Sequence, residues 1–170
     1  MTPEMIAKAR GNAVTAGAQN VEFRLGDMEQ MPVEDSSVDW VISNCVINLA
    51  PDKPKVFSEI SRVLRPGGRL SISDIVTGQL AEELTETRPL WAHCIGGAME
   101  ESEYLGLMSE AGLEDTNVVS RQHFDETAIR GVVASFGDAA DRDLVFELLG
   151  KYPDTVDKIW SSRITGRKQA

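Results

Sequence analysis

The sequence has no apolar run of about 18 residues, so it encodes no transmembrane helix. It has only two cysteines, Cys45 and Cys94, too few for a disulfide framework. A reducing, cytoplasmic location is the default for such a chain. The opening MTPEMIAKAR lacks the pattern of a secretory leader. Histidine is equally sparse: His93 and His123 have no evident triad partners, and a structural role is expected for both. G-x-G-x-x-G, P-loop, G-x-S-x-G and H-E-x-x-H motifs are all missing from these residues. Basic residues are outnumbered 17 to 27, which gives a net charge of −10. Such a surface repels phosphate backbones, so no nucleic acid partner is expected.

What is present describes a globular chain. Its 170 residues are 42% hydrophobic and 26% charged, enough for one domain with a buried core. The charge is uneven: nine acidic side chains lie between Glu82 and Asp115 against the single basic Arg88, a pattern typical of a solvated face.

The periodicity predicts alternating helices and strands. Thr2-Pro3-Glu4 has the N-cap, N1 and acidic first-turn chemistry of a helix start, and the helix should run to about Thr15 with Ile6, Ala9, Ala13 and Val14 inward. Val21–Leu25 alternates as a strand closed by Gly26-Asp27. Trp40–Val46 is nearly continuous apolar chain, as in a strand buried on both faces of a parallel sheet. Asp52 begins a helix with Val56, Phe57, Ile60 and Val63-Leu64 on one side, and Arg65-Pro66-Gly67-Gly68 stops it. Arg69–Val76 is the next strand, so a parallel, right-handed βαβ unit is expected. Helical pieces are expected around Trp91 and Cys94, a helix over Glu101–Ala111 before Gly112, and a strand over Asn117–Ser120. Leu144–Leu149 reads as helix and Ile159–Ile164 as a closing strand.

In open parallel sheets, ligands collect at the carboxyl ends of the strands. The connection SNCVINLA, residues 43–50, lies at such an end and carries Asn44 and Cys45. Asp27 ends the preceding strand in the same way, where a carboxylate can bond a ribose or an adenine amine; a plain turn role explains it equally well. Cys45 and Cys94 would suit a soft, thiophilic ion if brought together, or else act as small core hydrophobes.

The run VEFRLGDMEQMPVEDSSVDWVISNCVINLAPDKPKVFSEISRVLRPGGRLSISDIV, after MTPEMIAKAR, resembles the class I S-adenosylmethionine-dependent methyltransferases. SNCVINL followed by DKPKVF, and the CIGGA segment before Glu103-Tyr104-Leu105, resemble more narrowly the arsenite methyltransferase family. The resemblance spans about residues 1–120, a truncated methyltransferase core. Residues 121–170 are then an extension that completes the sheet or caps the substrate site.

The resemblance implies a Rossmann-like α/β fold: a seven-stranded, mainly parallel sheet in the order 3-2-1-4-5-7-6, with helices on both faces. It implies methyl transfer from S-adenosylmethionine to trivalent arsenic, supplied as arsenite or in thiol-bound form. Cys45 and Cys94 match the family's arsenic-holding cysteines. Asp27 and Met28 match positions lining the adenine pocket, and Asn44 lies beside the cofactor. The family's glycine-rich cofactor loop, its ribose carboxylate and an N-terminal arm with a further cysteine have no counterpart in these residues. The fold is therefore expected to be N-terminally truncated, with an apolar edge at Trp40–Val46 that lowers stability or drives dimerisation. A non-catalytic thiol site for arsenic(III) or another soft metal, a methyltransferase for small organic molecules, and an inactive fragment are the alternatives.

Overall fold

The computed structural model describes residues 1–85, 97–135 and 138–170. Helix α1 (Pro3–Thr15) begins as its sequence dictates: the Thr2 hydroxyl accepts from the Met5 N–H at 3.3 Å, and Pro3 takes N1, where no amide is needed. Its expected apolar face is largely unused. Ile6 is buried, whereas Val14 is 82% exposed.

Strand β1 (Val38–Asn44) leads through a single turn of 3₁₀ helix, Ile47–Leu49, to α2 (Lys53–Val63). The Asp52 carboxylate caps α2 by accepting from the Lys55 N–H at 3.1 Å. Strand β2 (Leu64–Thr77) follows at once. The expected stop at Arg65–Gly68 appears as a bulge: Val38 pairs with Leu64 but Trp40 pairs with Arg69. Gly67 supplies a left-handed φ of 74°, and a side chain at Gly68 would meet the Arg65 carbonyl at 2.8 Å.

The remaining elements are α3 (Glu82–Thr85), α4 (Glu101–Glu110), β3 (Leu113–His123), α5 (Glu126–Ala134), α6 (Ala139–Lys151), the 3₁₀ segment Pro153–Lys158, and β4 (Ile159–Lys168). Helix α5 is absent from the sequence reading. Trp91 and Cys94 lie outside the described residues.

The described strands form one sheet in the order β1-β2-β4-β3. β1 pairs with β2 in parallel, and β4 is antiparallel to both of its neighbours. Three strands therefore run one way and β4 alone is reversed. This four-strand order corresponds to the 4-5-7-6 portion of the expected sheet. Leu70, Ile72 and Val76 of β2 and Ile164 of β4 pack on one face with Phe57 and Ile60 of α2 and Tyr104 and Met108 of α4. The Phe57 and Tyr104 rings meet edge to face, centroids 5.1 Å apart. A second cluster joins Leu84, Ile129, Val133, Val145, Leu148 and Ile159.

Two strand expectations are corrected. Among the described residues Val21–Leu25 has no ladder partner and is not a strand; alternation alone cannot satisfy a row of backbone donors and acceptors. Val21 and Leu25 are about half exposed. β1 is not buried on both faces either. It is an edge of the described sheet, with Trp40 52% and Ile42 79% exposed. The Arg69 guanidinium lies over the Trp40 ring, 5.6 Å from its centroid.

Candidate functional site

The site lies at the carboxyl end of the parallel β1/β2 pair. Asn44 is exposed at the end of β1. Cys45 follows with a φ of 50°, a left-handed conformation uncommon for a residue with a side chain. This turn lifts the chain off the sheet while the Cys45 N–H still donates to the Ser73 carbonyl at 2.9 Å. The next contact holds the turn from its far side: the buried Asn48 donates through Nδ2 to the Ile75 carbonyl at 2.7 Å.

Between those two contacts lies Asp74, fully buried. Its Oδ1 accepts from the Ile75 N–H at 3.1 Å, and its Oδ2 from the Tyr104 hydroxyl at 3.3 Å. The Asn48 backbone N–H also donates to it. Burial pushes the Asp74 carboxyl up to about 6, although the three donors and the charge of Lys53 oppose this. Burial pushes the Cys45 thiol up as well, and the nearby Asp74 charge adds to the effect. Tyr104 is raised, first by burial and then by Asp74. Burial lowers Lys53, whose Nζ donates to the Ala50 carbonyl at 3.2 Å.

The sequence reading missed Asp74, Asn48, Lys53 and Tyr104. One signal was available. In LSISDIV the inward positions are 70, 72, 74 and 76, and a carboxylate occupies a place where the alternation demands an apolar side chain.

The expected site residues do not all come together. Asn44 and Cys45 are adjacent at the strand end. Met28 is half-buried and packs against the main core cluster, which includes Ile47 of the same turn. Asp27 is not at a strand end; its carboxylate is 82% exposed on a turn whose Asp27 carbonyl accepts from the Gln30 N–H, and the chain's amino group lies 3.9 Å away. Cys94 falls outside the described residues. The segment just after it does not: Gly97 and Ala98 are buried, and the Thr77 N–H, at the end of β2, donates to the Met99 carbonyl at 3.0 Å. Residues 97–100 thus meet the sheet at the carboxyl end of β2, the strand beside β1. Among the described residues, no group of three or more His, Cys, Asp or Glu side chains could hold a metal ion, and no helix is long and apolar enough to cross a membrane.

Chemically, the end of β1 offers a soft thiol and an exposed amide, with buried acid–phenol hydrogen bonding beneath. A methyltransferase-domain model matches residues 1–112. The chain is 45% identical over 127 residues to an arsenite methyltransferase of Halobacterium salinarum, covering 74% of this chain and 32% of that protein. It is 37% identical over 147 residues to an arsenite methyltransferase of Aquipseudomonas alcaligenes, covering 82% of this chain and 42% of that protein. The chain thus spans about a third to two fifths of the length of these curated relatives. The crystal structure of an arsenic(III) S-adenosylmethionine methyltransferase from Chlamydomonas reinhardtii superposes with a TM-score of 0.71 at 30% identity, over all of this chain and 53% of that one. The resemblance and the fold class read from the sequence hold: the chain belongs to the methyltransferase-domain family, on the class I α/β fold, and is similar within it to arsenite methyltransferases.

Proposed function

We propose that this chain carries the arsenic-holding part of an arsenic(III) methyltransferase, with Cys45 and Cys94 as the thiol ligands of the substrate. The observation that carries this reading is the placement of Cys45 in a strained turn at the carboxyl edge of β1, with the segment after Cys94 returning to the end of β2. The arsenite methyltransferases to which the chain is similar support it.

Arsenite enters as a neutral hydroxide. Each thiol that condenses with it forms one As–S bond and breaks one As–O bond, and the thiol proton leaves with the hydroxyl as water. No net proton is released, so a Cys45 thiol whose pKa is raised by burial remains competent. Two thiols fix the arsenic with its lone pair directed outward, which makes it a nucleophile without a general base. Orientation and exclusion of water are then the protein's main contributions.

S-adenosylmethionine, when bound, supplies an electrophilic methyl group on a sulfonium. The side chains at hand fit its adenine end: the exposed Asp27 carboxylate can accept from an amine, half-buried Met28 offers an apolar surface, and Asn44 presents an amide at the strand end. We read residues 1–120 as the methyltransferase core and 121–170 as the extension that completes it. A reduced thiol pair fits the cytoplasm, where thiols persist.

Titration of the full chain with arsenite, followed by the near-ultraviolet absorbance of As–S bonds, tests the reading. Cys45→Ser and Cys94→Ser are each expected to weaken binding by about tenfold or more, a loss of about 1.4 kcal/mol. Unchanged affinity in both variants would overturn it. Methyl transfer to arsenite, compared with a panel of small organic acceptors, tests the substrate class.

A further inference from the structure

We propose that Asp74 is the positioning residue for Cys45, clamping together with Tyr104 the turn that presents the thiol; this rests on the reading of Cys45 as a substrate ligand.

Asp74 is a residue that the core does not need. Position 74 faces the core between Ile72 and Val76, and an apolar side chain would fill it without desolvating a carboxylate. What Asp74 does instead is collect donors from three elements. The Ile75 N–H belongs to its own strand, the Asn48 N–H to the turn after Cys45, and the Tyr104 hydroxyl to α4. Tyr104 is itself held by the edge-to-face contact with Phe57 of α2. The Cys45 turn is thereby tied to β2 at Ser73, Asp74 and Ile75 in succession, the outer two ties being Cys45 N–H to Ser73 and Asn48 Nδ2 to Ile75.

These ties explain how Cys45 can remain at a φ of 50°. A left-handed conformation in a residue with a side chain persists only where its surroundings over-determine it. The central tie is the Asp74 carboxylate, which joins the turn both to β2 and to α4. The titratable groups around it are Cys45 on the turn, Lys53 on α2 and Tyr104 on α4, with Glu103 acting on Lys53.

The test is the alkylation of Cys45 by iodoacetamide, mapped by peptide mass spectrometry in the full chain. Rates are taken from neutral pH to well above the titration of the thiol. The plateau at high pH reports how the turn presents the thiolate, whereas the midpoint reports nearby charge. Asp74→Ala is expected to raise the plateau roughly fivefold, the factor to which the cost of one left-handed residue converts. Asp74→Asn, which keeps the shape and one acceptor oxygen, is expected to restore the plateau and move only the midpoint. An unchanged plateau in folded Asp74→Ala overturns the proposal, as does an Asp74→Asn plateau equal to that of Asp74→Ala. If Asp74→Ala does not fold, Tyr104→Phe decides: a raised plateau supports the clamp and an unchanged one overturns it. Arsenite titration of the same proteins separates the two readings. A wild-type chain that fails to bind arsenite while the plateau moves leaves the clamp standing and removes the arsenic assignment.

Discussion

The Tyr104 hydroxyl reaches across from α4 to donate to Asp74 Oδ2 on β2, 3.3 Å away, and both residues are fully buried. The bond ties a helix to the sheet directly beneath Cys45. It also stabilises the ionised carboxylate, yet burial still prevails and Asp74 titrates near 6 rather than at its ordinary 3.8.

A pH dependence of stability follows. The folded protein binds the Asp74 proton more tightly than the unfolded chain does. The resulting stabilisation is complete below about 3.8 and is lost as pH rises through about 6. At neutral pH the ionised carboxylate therefore costs on the order of 2–3 kcal/mol. Asp74→Asn is expected to raise stability at pH 7 by about 1–3 kcal/mol and to flatten the profile between about pH 3.8 and pH 6. Urea unfolding of both proteins across this window measures it. Parallel profiles would show that Asp74 is not the titrating group.

Glu101 has the opposite sign. Burial alone would raise its carboxyl, but hydrogen bonds from Arg121, Ser162 and Trp160 outweigh burial and hold it at about 2. Its contribution is present above about 4.5 and lost as pH falls through about 2. Glu101→Gln is expected to cost about 1–2 kcal/mol at neutral pH, a modest value because Arg121 is half exposed and screened. The Trp160 indole N–H donates to this carboxylate at 2.9 Å, so tryptophan emission should shift in the variant. Wild-type stability with unchanged emission would contradict this account.

The left-handed turn at Cys45 separates stability from function. Glycine adopts a φ of 50° without a side-chain penalty. Cys45→Gly is expected to be more stable than Cys45→Ala by about 0.5–1 kcal/mol, with arsenite binding weakened in both. Thermal melts of the pair, at matched concentration, provide the comparison. Equal melting temperatures would mean that the turn carries no strain.

The exposed β1 face predicts association. Trp40 and Ile42 project from an edge of the described sheet, and such edges pair readily with other chains. We expect light scattering to show a concentration-dependent dimer, and Ile42→Lys to shift it toward monomer. A monodisperse wild-type monomer with cooperative melting would remove this expectation.

Sequence alone settled the local chemistry. Caps at Thr2 and Asp52 and the helical spacing of Val56, Phe57 and Ile60 are each dictated within a few residues, and each appears where the pattern places it; the stop expected at Arg65–Gly68 is instead a bulge inside β2. The same local motif, SNCVINL, placed Asn44 and Cys45 at a strand end. Tertiary structure decided what depends on partners distant in sequence. Val21–Leu25 is no strand because nothing among the described residues pairs with it, and β1 lies at an edge of the described sheet with Trp40 and Ile42 exposed. Asp74 reads as one polar residue in an alternating strand until Tyr104, 30 positions away, and Asn48, on the turn after Cys45, converge on it. Short-range sterics and capping are written in neighbouring residues. Burial, and with it the ionisation of Asp74 and the environment of Cys45, exists only once β2, α4 and the 45–48 turn are packed together.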